Sequence, residues 1–329
     1  MANIKEILDR LDAVKAELDD IVQMINTLKI SEPEDVVVEE PIEEEIEIVD
    51  EPSRGPIKRA LIVGINNYHP SLDCDLNGCV NDADNLYMRL SESFGFQASN
   101  IKLLLNHEAT QQGIMDGLDW LVTNTIPGDN LVFTFSGHGS QVPDYNGDEI
   151  DGYDEIICPY DLNWENPFTD DILASYFKRV PDGVQLTFIC DSCNSGTVSK
   201  GISHSVDKAG LNRTIRALSC PETIQSIKKG NEIKNVRKFG VKAFVNTPDQ
   251  NHILLAGCAE DDYSSEGYFY GEIHGALTFN LCEILRENKN RTWRNIEEVV
   301  TRRVKQTWGF SQTPQLVTKS ENLDKLIFE

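Results

Sequence analysis

Two short stretches of this chain carry side chains that can do covalent chemistry. Gly183 to Gly196 reads GVQLTFICDSCNSG: an apolar run, Val184 to Cys190, breaks into small and polar residues around Cys193. Leu131 to Phe135, LVFTF, ends in the same way, in Ser136-Gly137-His138-Gly139-Ser140. Each apolar run has the length of one buried strand, and in an open α/β sheet the carboxyl ends of the strands are where sites are built. His138, between two glycines, is expected to be exposed, where a substrate backbone can come close. If the two strands are neighbours, imidazole and thiol face one cleft. The imidazole then takes the thiol proton, the thiolate attacks a carbonyl, and the imidazolium protonates the leaving group. A thiolate beside an imidazolium has a lowered pKa, and the backbone N–H groups of Gly139 and Cys193 are placed to hold an oxyanion. Cys190-x-x-Cys193 also admits a redox pair, or half a zinc site completed by Cys74 and Cys79. A redox pair wants its first cysteine at a helix N-terminus, whereas Cys190 closes a strand.

The elements that must position these residues alternate. Strands are expected at Ile57–Ile65, Ile101–Leu105, Leu131–Phe135, Glu155–Cys158, Val184–Cys190 and Ile253–Cys258. Helices are expected at Cys79–Phe94, Thr110–Thr125 with Thr110 as N-cap, Asp170–Arg179, Gly275–Glu287 and Thr292–Gln306. Alternation of this kind predicts an α/β fold, a three-layer sandwich in which a mostly parallel sheet of six or more strands is covered by helices on both faces.

The chain has 329 residues and a net charge of −24, unevenly spread. Residues 1–52 hold 17 acidic and 4 basic side chains. Phosphate backbones need positive charge, so nucleic acid is not an expected partner. No apolar run is long enough to span a membrane, and the N-terminus lacks the order of a secretory signal. Eight cysteines, four of them in apolar runs, read as free thiols in a reducing compartment, hence the cytoplasm.

Three segments precede or interrupt the alternating part. In residues 1–30, Ile4, Leu11, Leu18 and Ile25 share one heptad position, and Ile7, Val14, Ile21 and Leu28 share another. That pattern predicts an N-terminal coiled-coil helix and self-association through residues 4–28. Residues 31–56 read as a linker whose acidic run, without a basic residue from 31 to 52, repels itself and extends. The globular part, 57–329, divides into 57–199, a basic insertion at 200–250, and 251–329. From Lys200 to Lys242 the insertion holds 10 basic and 3 acidic residues.

SGHG after one buried strand and DSC-x-SG after another resemble the metacaspases, with the related orthocaspases, among the caspase-like cysteine peptidases. The resemblance extends through Arg59-Ala60-Leu61-Ile62-Val63-Gly64-Ile65-Asn66 with Tyr68, and through Leu76-Asn77-Gly78-Cys79-Val80-Asn81-Asp82-Ala83. It continues in Asp151-Gly152-Tyr153-Asp154-Glu155, Pro159-Tyr160-Asp161 and Asp170-Asp171. It implies a caspase-like fold and a His138–Cys193 dyad. It also implies cleavage of basic polypeptides after Arg or Lys, with a pocket at Cys79, Asp82, Ser136 and Asp191. Two carboxylates in a narrow hole favour a guanidinium, which they can grip in bidentate fashion.

The family's calcium ligands would map to Asp154, Asp170 and Asp171. A fourth family aspartate is replaced here by Lys200, which adds positive charge and no ligand, so calcium is expected as an activator at most and not as part of the chemistry. Asp144-x-Asn146-x-Asp148 is followed by Glu149 where a calcium loop needs glycine, and reads as a polar turn. Asn194 stands where the family usually has histidine. A peptidase of this specificity could cut itself in the basic insertion, at Arg213, Arg216, Lys228, Lys229, Lys234, Arg237 or Lys238. The competing expectation is a catalytically silent caspase-fold scaffold that acts through its coiled coil.

Overall fold

The computed structural model describes residues 54–144, 146–147, 152–193, 204–206, 212–225, 252–259, 262–307 and 310–329. The heptad at 4–28, most of the acidic linker, Asp148, Glu149, Asp151, Asn194, Lys200 and the basic residues from Lys228 to Lys238 lie outside the described residues.

In chain order the elements are β1 (Lys58–Gly64), α1 (Cys79–Phe94), β2 (Ile101–Leu105), α2 (Gln111–Val122), β3 (Asn130–Ser136), β4 (Gly139–Pro143), β5 (Tyr153–Ile157) and β6 (Phe168–Thr169). They continue with α3 (Asp170–Phe177), β7 (Gln185–Asp191), β8 (His204–Val206), β9 (Asn212–Ile215), the one-turn α4 (Glu222–Gln225), β10 (His252–Ala256), β11 (Ser265–Phe269) and β12 (Glu272–Gly275). Last come α5 (Ala276–Glu287), α6 (Trp293–Gln306) and β13 (Gln315–Val317).

Six strands form the main sheet in the order β13-β10-β7-β3-β1-β2. Five are parallel, and β13 closes one edge antiparallel to β10. Successive side chains of a strand point to opposite faces, and β1 shows what that does here. Leu61 and Val63 join an apolar cluster with Ile114, Leu118 and Leu121 of α2 and Leu173 and Phe177 of α3. Ala60 and Ile62 join the opposite cluster with Leu86 and Leu90 of α1, Leu281 and Ile284 of α5, and Ile296 and Val300 of α6. The result is a three-layer α/β sandwich, with one helical layer on each face of the sheet.

Local chemistry sets the ends of several elements. Thr110 caps α2, its hydroxyl accepting from the Gly113 N–H at 3.0 Å, and Gly95 ends α1 in the left-handed conformation. One strand assignment needs correction. The segment at 155–158 is not part of the main sheet, because β5 pairs antiparallel with β4 and β6 in a separate three-stranded sheet. The nine residues between β4 and β5 are too few for the crossover that a parallel neighbour would need. The sixth main-sheet strand is β13. A third sheet, β12-β11-β9-β8, is antiparallel throughout. Among the described residues no helix is long and apolar enough to cross a membrane.

Candidate active site

β3 and β7 are adjacent and parallel, with Ser136 paired to Asp191 at their carboxyl ends. His138 and Cys193 each follow two residues later, so the register sets both side chains at the same end of the sheet. Neither is exposed. His138 is 2% accessible and Cys193 is fully buried, which corrects the expectation of an open histidine. The cover is the chain itself, at residues 212–218.

His138 is fixed from several sides. Its Nε2 lies 2.7 Å from the Cys74 carbonyl, which makes Nε2 the protonated nitrogen, and its backbone N–H donates to the Tyr68 hydroxyl at 2.7 Å. The Tyr68 ring lies 5.1 Å from the imidazole. Nδ1 has no hydrogen-bond partner among the described residues and is left as the basic atom. Burial pulls the imidazole down to about 4; the Cys74 carbonyl opposes this and the Arg216 charge adds to it. The Cys193 thiol donates to the Ser264 carbonyl at 3.0 Å. Burial, reinforced by the neighbouring Cys258 thiol, holds it well above the ordinary thiol range. In this closed state the pair is therefore a neutral imidazole and a protonated thiol.

Beneath the pair lies a hole with three buried carboxylates. Asp82, in the first turn of α1, accepts from the Gly275 N–H at 3.1 Å and from the Ser136 hydroxyl at 3.3 Å, and lies 3.3 Å from His274 Nδ1. Asp191 accepts from the Ser264 hydroxyl at 2.6 Å and from the Thr278 N–H and hydroxyl at 2.9 and 2.8 Å. Glu266 of β11 accepts from the Asn77 and Gly78 N–H groups at 2.9 and 3.0 Å. Gly78 caps α1, and Gly275 and Thr278 belong to the first turn of α5. Two helix N-termini thus hold the three anions, where the positive end of each helix dipole favours negative charge. Cys79, fully buried, lies within the electrostatic reach of all three. Gly275 is required for packing: a β-carbon there would collide with the Asp191 carboxylate and the Arg216 guanidinium.

The occupant of the hole is Arg216, fully buried. Its Nη2 lies 2.7 Å from Asp82 and 3.4 Å from Glu266, and its Nη1 lies 3.4 Å from the Asp191 carboxylate and donates to the Asp191 carbonyl at 3.1 Å. The main chain around it is held as closely. The Arg216 carbonyl accepts from the Gly139 N–H at 3.0 Å and from the Cys193 N–H at 3.1 Å. The Arg216 N–H donates to the Ser264 carbonyl at 3.0 Å, and the Leu218 N–H to the Gly139 carbonyl at 3.0 Å. The Ser140 hydroxyl reaches the Leu218 carbonyl at 2.6 Å. Upstream, β9 adds to β11 as an extra antiparallel strand, Thr214 opposite Glu266 and Ile215 opposite Ser265. The open cleft of about 630 Å³ beside Tyr68, lined by Asp73, Asp75, Asn106 and Tyr160, contains neither His138 nor Cys193.

The structure therefore brings His138, Cys193, Gly139, Cys79, Asp82, Ser136, Asp191 and Arg216 together at one sheet end. Arg213 stands apart from the hole, its guanidinium 4.5 Å from the Phe310 ring. Asp154, Asp170 and Asp171 lie away from it on β5 and α3. Asp171 accepts from the Asn146 amide at 2.7 Å, and among the described residues no three His, Cys, Asp or Glu side chains converge to hold a metal. The eight cysteines are free. Sequence reasoning missed Glu266, Ser264 and Thr278. Glu266 sits on a hairpin strand, SEGYF, whose polar and small residues give no strand signal.

Residues 58–200 match the metacaspase peptidase C14 domain. The chain is 32% identical over 244 residues to metacaspase-1 of Arabidopsis thaliana, covering 71% of this chain and 61% of that one. It is 31% identical over 300 residues to metacaspase-1 of Lodderomyces elongisporus, covering 81% and 66%. With metacaspase-1A of Aspergillus oryzae it shares 29% identity over 289 residues, covering 79% and 67%. It thus spans about two thirds or less of the length of these relatives. A crystal structure of a Geobacter sulfurreducens protein, 24% identical, superposes with a TM-score of 0.59 and covers 83% of this chain and 98% of its own. That similarity bears on the fold alone.

Proposed function

This chain belongs to the metacaspase family of caspase-like cysteine peptidases, and from that premise we propose that it is an endopeptidase cutting after Arg or Lys through His138 and Cys193, with its own Arg216–Ala217 bond as first substrate. The observation that carries this reading is the double grip on Arg216. Its guanidinium fills the carboxylate hole while its carbonyl oxygen accepts from the two N–H groups that flank the dyad, those of Gly139 and Cys193. A bond held in this way has its carbonyl polarised and its side chain read at once.

The chemistry follows from atoms already named. His138 Nδ1 takes the Cys193 proton, and the Cys74 carbonyl at Nε2 steadies the imidazolium that results. The thiolate adds to the Arg216 carbonyl carbon, and the oxygen, now negative, shortens its bonds to the Gly139 and Cys193 N–H groups. The Arg216–Ala217 bond breaks, His138 returns the proton to the Ala217 nitrogen, and Arg216 remains as a thioester on Cys193. Water activated by the neutral imidazole hydrolyses that thioester, and the thiol leaves protonated. No step is routed through calcium.

Until residues 212–218 leave, no second polypeptide can enter, so the intact chain is a latent form. External substrates then follow the same path: a basic side chain in the hole, and an extended backbone added to β11 as β9 is here. The test is a denaturing gel of purified protein followed by N-terminal sequencing. Wild type yields fragments 1–216 and 217–329, the second beginning Ala-Leu-Ser-Cys, while Cys193→Ala and His138→Ala stay intact. The same bands from the Cys193→Ala protein, or a new terminus elsewhere, refute the reading.

A further inference from the structure

Counting back from the arginine in the hole, the segment presents Ile215, Thr214 and Arg213 as second, third and fourth residues. The cation at the fourth position has its own receptor. The Arg213 guanidinium carbon lies 4.5 Å from the centre of the Phe310 ring, within the range where a cation is attracted to a ring face. Phe310 is itself anchored, 8% accessible and stacked on Phe269 at 5.4 Å, which stacks in turn on Phe279 at 4.2 Å. It also sits flush against β11, where a β-carbon on Gly267 would come within 2.8 Å of the ring. The platform is therefore tied to the strand along which the segment pairs. Between the two arginines, Ile215 is 7% accessible and clusters with Cys193, Ala217 and Cys258.

We propose that Phe310 is a specificity-determining residue that recognises a cationic side chain at the fourth residue before the cut, so that substrates have the form basic–any–aliphatic–Arg followed by a small residue. The inference rests on the peptidase reading above and extends it from one pocket to a four-residue pattern. The two cation sites differ in kind. The hole holds its arginine by ion pairs and hydrogen bonds in full burial and is stringent. The ring adds the attraction of its quadrupole to the other interactions of the half-buried Arg213, and grades substrates without excluding those that lack the cation.

The test uses the self-processed enzyme and fluorogenic peptides Arg-Thr-Ile-Arg, citrulline-Thr-Ile-Arg and Ala-Thr-Ile-Arg. The first is expected to exceed the other two by about three- to thirtyfold in kcat/KM, mostly through KM. Citrulline keeps the shape and removes the charge. Phe310→Leu brings the three peptides within twofold of one another, and Phe310→Tyr keeps the preference. An activity-independent arm measures hydrogen exchange in full-length Cys193→Ala protein, where Phe310→Leu speeds exchange at 213–215 about threefold or more and leaves α5 unchanged. If no arginyl peptide is hydrolysed, the peptidase reading fails and the exchange arm alone judges Phe310. A preference that survives in Phe310→Leu, or unaltered exchange at 213–215, overturns the proposal.

Discussion

Replacing Arg216 with alanine is expected to expose Cys193 without unfolding the protein. Three carboxylates, Asp82, Asp191 and Glu266, share the one guanidinium, all at or near zero accessibility. Removing one partner of a buried ion pair costs about 3–5 kcal/mol, because the other charge is stranded. Here the strain has an outlet: residues 212–218 can lift away and let water reach the carboxylates. The cost is then taken from the docking of the segment and not from the whole domain. At about 1.4 kcal/mol per tenfold, the opened population rises about a hundred- to four-thousandfold. The assay is iodoacetamide alkylation, read by peptide mass, in a His138→Gln background that keeps the chain uncut. Cys193 is the reporter, and Cys282, buried in α5 away from the segment, is the internal control. Arg216→Lys should fall between wild type and alanine, since an ammonium keeps the charge and loses the fork. An unchanged Cys193 rate refutes the claim that the guanidinium closes the cleft. Equal acceleration at Cys193 and Cys282 refutes the claim that the opening is local.

Gly275→Ala should abolish self-cutting and arginyl hydrolysis and lower the unfolding midpoint, through the about 1–3 kcal/mol that overpacking costs, while circular dichroism stays native. Gly275 has φ −68°, which alanine adopts freely, so the collision with Asp191 and the arginine guanidinium is the sole objection. Normal turnover would show that the hole is not the binding site. The neutral imidazole sets a pH dependence. His138 titrates near 6.5 when unfolded and at about 4 in the closed chain, so the unfolded state binds the extra proton between those values. Its contribution is complete above about pH 6.5 and is lost as pH falls, by about 2 kcal/mol at pH 5 and about 3 kcal/mol below pH 4. Urea titrations of Cys193→Ala, with and without His138→Gln, isolate it from the carboxylates. Parallel pH profiles for the two proteins would refute the burial argument.

The placement of His138 and Cys193 at one end of the sheet was legible because the two residues follow strands whose apolar runs are long, and because parallel neighbours in register put equivalent positions side by side. LVFTF and VQLTFIC carry that signal in five and seven residues. Asp82 and Asp191 were legible through motif resemblance. The third carboxylate was not, because β11 and β12 are joined through Tyr270 and Gly271, both at positive φ. Such a turn usually announces itself as Asn-Gly or Asp-Gly; with a tyrosine in the left-handed conformation the hairpin gave no sign, and Glu266 went with it. The burial of His138 was illegible for a different reason. A glycine-flanked histidine past a strand is exposed in isolation, and only the docking of a segment nearly eighty residues downstream covers it. Of the seven basic residues read as self-cleavage candidates, sequence could not rank Arg213 against Arg216. Three positions along an extended chain separate a residue under the ring from one in the hole.

The arrangement of the hole explains how it can be vacated and refilled. Three carboxylates against one guanidinium leave the buried site with a negative excess, an arrangement that would be untenable among apolar neighbours. It is tolerable here because none of the three depends on the arginine alone. Asp191 keeps the Thr278 N–H, Glu266 keeps the Asn77 and Gly78 N–H groups, and Asp82 keeps the Gly275 N–H when the guanidinium is gone. These donors are backbone, fixed by α1 and α5, and do not reorganise. The hole is therefore anionic before any ligand arrives, and a neutral or acidic side chain entering it would lose hydration without gaining a partner. On the proposed function, selectivity for a cation and self-inhibition by a cation are one property of the same three carboxylates. On the same reading, what distinguishes substrate from latch is that Arg216 is tethered, and the proposed cut of its own peptide bond removes that distinction.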